Sequence, residues 1–134
     1  MARPRLQLTS VTIGTSQPRE LAQFYAKLLD WKITALEDPA EGEPANAGWA
    51  QIKPPGGTSG PTLNFEFERQ FERPVWPAEP ETQNATEHLD IWVEDLPAAV
   101  EWAVACGAAI DPFQPQEDVR VMRDPDGHPF CLFL

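Results

Sequence analysis

The chain has 134 residues, a length that in one folded body buries roughly two-thirds of the unfolded surface. An apolar fraction of 42% and five tryptophans exclude a disordered chain. Ten basic against 21 acidic residues leave a formal charge of −11, which repels phosphate backbones and anionic lipid and so excludes nucleic-acid and membrane-surface partners.

Residues 1–5 are followed by no apolar leader, and no stretch approaches the ~18 apolar residues that span a bilayer, so a cytoplasmic location is expected. Residues 10–17 (SVTIGTSQ) alternate apolar with polar or small side chains at period two, as a half-buried strand does. A helix is predicted over 17–30. Pro18 stands at its first position, where the missing N–H costs nothing, although Gln17 is a poor N-cap. Leu21, Phe24, Tyr25 and Leu28 recur at i, i+3, i+4 and i+7 and form its buried face. Extended segments follow at 31–36, 48–53 and 61–68, with loops at 39–47 and 54–60. Residues 69–86, carrying Pro74, Pro77 and Pro80, read as a polar linker.

The pattern then returns 78 residues later. Residues 88–95 (HLDIWVED) repeat the strand, and Asp95 is a good N-cap for a helix over 95–106. Val100 and Val104 mark its face, with Ala99, Trp102, Ala103 and Cys106 around them. Trp102 falls at the repeat position of Phe24, so it is expected in the helix-packing core, as is Trp31. Gly107 suits a left-handed residue after the helix. Segments 108–113, 118–123 and 129–134 are extended, and Asp124-Pro125-Asp126-Gly127 is a tight turn that leaves His128 exposed. Cys106 and Cys131 lie in apolar segments without CxxC spacing and read as reduced, buried thiols. One unit of ~65 residues has too little core alone. The expectation is therefore one domain over 1–134, with unit one at 6–68, the linker at 69–86 and unit two at 87–134.

Two such βαβββ units resemble the glyoxalase/bleomycin-resistance (vicinal oxygen chelate) superfamily, in its glyoxalase-like domain branch. The residues that carry the likeness are His88 with Asp95, residues 17–25 (QPRELAQFY) and residues 124–132 (DPDGHPFCL). The resemblance covers nearly the whole chain. It implies an α+β fold whose two units curve into an incomplete barrel around a cavity, with the helices outside. Strand alternation then points His88, Asp90 and Trp92 inward, with Leu89, Ile91 and Val93 toward a helix. The same rule offers Ser10 and Thr12, Asn64 and Glu66, Cys131 and Phe133, and Trp49 and Gln51 or their neighbours. Family members often pair edge to edge, which implies a homodimer.

Metal-dependent members of the superfamily take histidine, glutamate or glutamine ligands from near the start of the first strand and from the last strand of each unit. Here only His88 matches. Ser10 stands at the first-unit histidine position, and a neutral hydroxyl is a poor ligand. Cys131 stands where the terminal glutamate is expected, and Asn64 or Glu66 falls at the remaining position. A thiolate beside an imidazole suits zinc, but burial in an apolar strand opposes ionisation of Cys131. The expectation is no metal and no cofactor. The alternative is a metal-dependent lyase, isomerase or dioxygenase using His88 and Glu66, with Cys131 as a further ligand.

His88 and Asp90 share one strand face, roughly 7 Å apart along it. A carboxylate so placed can orient an imidazole as a catalytic acid or base. Equally, His88 can bond a neighbouring strand or Ser10 while Asp90 pairs with an arginine such as Arg120. No nucleophile elbow, phosphate-cradling loop or paired carboxylates occur, and residues 54–57 (PPGG) are a loop. Trp92, Trp49 and Phe133 would give an aromatic wall carrying a few polar groups, the usual make-up of a small-molecule pocket. The expected function is metal-independent, bleomycin-resistance-like binding of a small organic molecule, aromatic or cationic, in the cavity between the units.

Overall fold

Alternation in SVTIGT yields β1 (Ser10–Thr15), and α1 (Pro18–Leu29), β2 (Lys32–Glu37), β3 (Trp49–Lys53) and β4 (Thr62–Phe67) follow it. β4 runs parallel to β1 and antiparallel to β3, so the sheet order is β1-β4-β3-β2. The second copy supplies β5 (Leu89–Trp92), α2 (Leu96–Cys106), β6 (Ala109–Ile110), β7 (Val119–Arg123) and β8 (Pro129–Phe133). Its order, β5-β8-β7-β6, repeats the first. This is an α+β chain of two βαβββ units, seen in a computed structural model that describes residues 1–56, 58 and 60–134. The compact units are 1–68 and 69–134, so the proline-containing segment 69–86 folds with unit two. No helix among the described residues is long and apolar enough to cross a membrane.

Local chemistry sets the helix limits. Asp95 accepts a hydrogen bond from the Ala98 N–H at 3.0 Å, whereas Gln17 makes no side-chain cap. α1 ends at Asp30 in the left-handed region, φ 55°, and α2 ends at Gly107, φ 120°. In unit one, Leu21, Ala22, Phe24 and Tyr25 of α1 bury against the sheet face that carries Ala50, Ile52, Leu63 and Phe65. The Tyr25 and Phe65 rings stack at 5.8 Å between centroids.

Unit two departs from the expected helix phase. Leu96 and Ala103 are buried and Ala99, Val100 and Cys106 half-buried, a stripe at helical spacing that leaves Trp102 and Val104 to one side. Trp102 is 45% exposed, unlike Phe24 at the same repeat position, so it is not core. Two physical reasons apply. α2 is apolar nearly all round, so periodicity does not select its inner face. In addition, β6 has only two residues where β2 has six, so less sheet lies under the helix flank. The expected strand over 108–113 stops early because Pro112 lacks an N–H and the Gln114 side chain takes over the pairing. Its amide bonds both the N–H and the C=O of Val121, at 2.9 and 2.8 Å. Trp31 is half-buried.

The Asp-Pro-Asp-Gly turn closes as the sequence requires, with Gly127 at φ 94°; a side chain there would meet the Arg73 guanidinium as well. Asp124 is buried and accepts from the backbone N–H groups of Asp126 and His128, each at 3.0 Å. Its carboxylate also pairs with His128 Nδ1 at 2.8 Å. His128, expected to be exposed, is therefore largely covered, because the turn folds its ring back onto a buried carboxylate. Both cysteines are free thiols.

Candidate functional site

β5 and β8 pair in parallel with Leu89 opposite Phe130, Asp90 opposite Cys131 and Trp92 opposite Phe133. That register sets Cys131, from the last strand, beside Asp90 in the first strand of the unit. His88 Nε2 lies 3.2 Å from Asp90 Oδ1, with both side chains partly exposed. The Cys131 thiol is buried and donates to the Asp90 carboxylate. Burial chiefly pushes this thiol up in pKa, and the negative charge of Asp90 and the hydrogen bond to it push the same way. Imidazole nitrogen, carboxylate oxygen and sulfur all stand within 4.8 Å of one another.

These three groups open onto a cavity of about 370 Å³. Trp76, Asp118, Val121 and Phe133 complete much of its wall, and no Lys or Arg lines it. Trp76 comes from segment 69–86. Its indole lies 6.4 Å from the His88 ring and meets Phe113 edge-on at 5.7 Å. The segment is ordered by its own bonds, with Val75 bridging to Asn84 and the Asn84 side chain bonding the backbone of Glu79.

Arg123, at the end of β7, fastens that segment to the sheet. Its guanidinium donates to the carbonyls of Pro74, Trp76 and Gly127 at 3.1, 2.7 and 2.9 Å, and to Asp111 Oδ2 at 2.6 Å. Asp111 is buried, so the arginine also neutralises a desolvated carboxylate. Unit one holds a related device. Arg19 of α1 donates to the carbonyls of Ala45 and Ala47 and pairs with Asp38, fixing the loop before β3.

Of the residues expected in a site, His88, Asp90, Cys131 and Phe133 come together around this cavity. Trp92 is not among its lining residues and is 61% exposed, although its ladder partner Phe133 lines the cavity. Asp90 pairs with His88, and the arginine that forms a buried pair is Arg123, with Asp111. In unit one, Gln51 donates to Asn64 at 2.9 Å and Thr34 to Gln51 at 2.8 Å, with Thr12 next in line at 3.5 Å from Asn64. These form a polar strip across the sheet face opposite α1. Ser10 bonds Thr9, Trp49 is half-buried, and Glu66 is exposed on β4 opposite Trp49. Trp76 and Asp118 line the cavity and Arg123 anchors the Trp76 backbone, although no motif in the sequence marks any of the three. The only signal for the first was an aromatic residue inside an otherwise polar, proline-containing stretch.

The donor chemistry bears on metal. Mn²⁺-class ions prefer oxygen ligands, and one carboxylate beside a thiol and an imidazole does not make such a site. The same mixed set suits borderline-soft ions, with His88, Asp90 and Cys131 as the residues that would hold one.

A family model described as a glyoxalase-like domain matches residues 10–133. No curated protein sequence matches the chain. Among solved structures, a glyoxalase family protein from Enterococcus faecalis is 20% identical with a TM-score of 0.65, covering 96% of this chain and 97% of its own. A fosfomycin resistance protein from Listeria monocytogenes, solved with Mn(II) and 1S,2S-dihydroxypropylphosphonic acid, is 12% identical with a TM-score of 0.67, covering 95% and 90%. An antibiotic-binding protein from a Streptomyces species is 18% identical with a TM-score of 0.60, covering 98% of both chains. At these identities the structural likenesses establish the fold alone. The match over residues 10–133, together with two βαβββ units of identical strand order, places the chain in the glyoxalase-like domain family of the vicinal oxygen chelate superfamily.

Proposed function

We propose that the unit-two cavity binds a small organic molecule, cationic or aromatic, and that this binding needs no metal. One observation carries the reading: the wall combines aromatic faces, Trp76 and Phe133, with the carboxylates Asp90 and Asp118 and holds no Lys or Arg among the described residues. An indole face attracts a cation through its quadrupole, and a carboxylate in a partly enclosed cleft attracts it more strongly than in open water. The formal charge of −11 adds a long-range field of the same sign. The antibiotic-binding neighbour from Streptomyces supports small-molecule binding as a use of this fold.

The test is a thermal-shift and fluorescence screen in EDTA, with benzyltrimethylammonium, at once aromatic and cationic, as the first probe. Trp76→Ala and Asp90→Asn are each expected to weaken binding by about five- to a hundredfold. Probe or library compounds that bind both variants as tightly as the parent would sink the proposal.

A second reading adds chemistry, and the 3.2 Å contact between His88 Nε2 and Asp90 Oδ1 favours it. A carboxylate orienting an imidazole at a cavity wall makes His88 a proton donor or acceptor for a bound molecule. Its signature would be conversion of a bound compound that stops in His88→Gln while binding persists. The assembly we propose is a homodimer. Trp92, exposed on the edge strand β5, is the kind of apolar edge that a second copy would cover.

A further inference from the structure

Acidic groups enter the unit-two cavity at two separate places. Asp90 on β5 stands opposite Cys131 of β8, which in turn stands opposite Val121 of β7. Asp118 lies in the bend before β7, level with Leu134, whose N–H donates to the Asp118 carbonyl at 3.2 Å. The two aspartates are therefore three residues apart along the strands and two strands apart across them. At about 3.3 Å per residue and about 4.8 Å per strand, their backbones stand roughly 14 Å apart on the diagonal. Val119, Val121 and Phe133 line the stretch between them. The cavity thus has an anionic group at each end and an apolar middle.

We infer that the cavity takes an elongated dication, a molecule with an ammonium group at each end of an apolar spacer. One ammonium meets Asp90, the other meets Asp118, and the spacer covers the two valines and Phe133. This deepens the cation-binding reading above and rests on it. A single small cation reaches one of the two carboxylates and leaves the other, in a partly enclosed cleft, without a counter-ion. With side chains reaching inward, a charge-assisted bond of about 2.8 Å at each end leaves roughly 5–9 Å between the nitrogens, the span of about four to six methylenes. The Trp76 indole, 6.4 Å from the His88 ring, stands at the Asp90 end and adds a cation–π face there. Residues 69–134 carry four basic against 13 acidic side chains, so the field around this unit also favours two positive charges over one.

Calorimetric titration in EDTA, at fixed ionic strength and pH 8, compares the α,ω-diamines of three to ten methylenes with n-hexylamine. Affinity should peak near four to six methylenes, and the best diamine should bind about five- to fiftyfold more tightly than hexylamine. Asp118→Asn, an isosteric change at an exposed residue, should bring that diamine down to the hexylamine level and flatten the length profile. Glu101→Gln removes the same formal charge from the exposed side of α2 and should change neither, which separates contact from long-range attraction. A flat length profile in the parent, a diamine no tighter than hexylamine, full diamine affinity in Asp118→Asn, or an equal loss in Glu101→Gln would each overturn the inference. Benzyltrimethylammonium distinguishes the two readings. If it binds through Trp76 while no diamine gains over hexylamine, cation binding stands and the two-ended site fails; if neither it nor any diamine binds, both fail.

Discussion

Arg123→Ala is expected to be among the most damaging single substitutions in unit two, and the reason lies in four contacts made by one guanidinium. Its bond to Asp111 joins two groups shielded from water, and the other three secure the carbonyls of Pro74, Trp76 and Gly127. A hydrogen bond to a charged group contributes about 1.5–3 kcal/mol. The contacts share one donor group and do not add. The dominant loss is the carboxylate of Asp111 left buried without a counter-ion, for which breaking a buried pair costs about 3–5 kcal/mol. For a chain of this size that corresponds to a fall in melting temperature of roughly 10–20 °C. Urea denaturation at 25 °C, followed by circular dichroism, measures it directly. The double variant Arg123→Ala/Asp111→Ala should recover part of the loss, because the orphaned charge is gone as well. Trp76 emission should shift to the red in the single variant, since its backbone anchor is lost. A loss below about 1 kcal/mol, or no coupling between the two substitutions, would refute the reasoning.

Three further outcomes can be checked. Cys131 is held in its neutral form by burial, with Asp90 adding to the effect, so in EDTA at pH 8 an alkylating reagent should modify Cys106 first; Asp90→Asn should bring the Cys131 thiol back toward the usual range and speed its alkylation, and mass spectrometry showing no change would count against the contact. Trp102→Ala, at a half-exposed site, should cost about 1–2 kcal/mol, whereas Phe65→Ala, at a fully buried one, should cost about 3–5 kcal/mol, and reversed values in urea titration would mean that the α2 phase is misassigned. Light scattering should give roughly twice the 15.0 kDa chain mass, and a value near the single-chain mass across micromolar concentrations would argue against the homodimer.

Most of the element pattern was legible in the sequence because it is written locally. Period-two alternation, Pro18 at a helix start, the Asp95 cap and the glycine of the Asp-Pro-Asp-Gly turn each act within a few residues, and the structure places each as read. Repetition of that pattern was enough to reach the family. The site was only partly legible. His88 and Asp90 could be put on one strand face from alternation alone, but their union with Cys131 depends on the parallel register of β5 and β8, which joins segments far apart in the chain. Trp76 could not be placed at all, because its position is set by Arg123 reaching from β7 to carbonyls of a segment whose composition reads as linker. Trp102 was expected in the core and Trp92 on an inward face, yet both are exposed, since an apolar residue's own sequence neighbourhood says that it can be buried and not whether a surface exists to bury it. Local backbone preferences and periodicity are properties of short segments and survive in the sequence. Side-chain convergence, helix roll and the neutralisation of a buried charge are properties of surfaces brought together, and tertiary packing alone decided them.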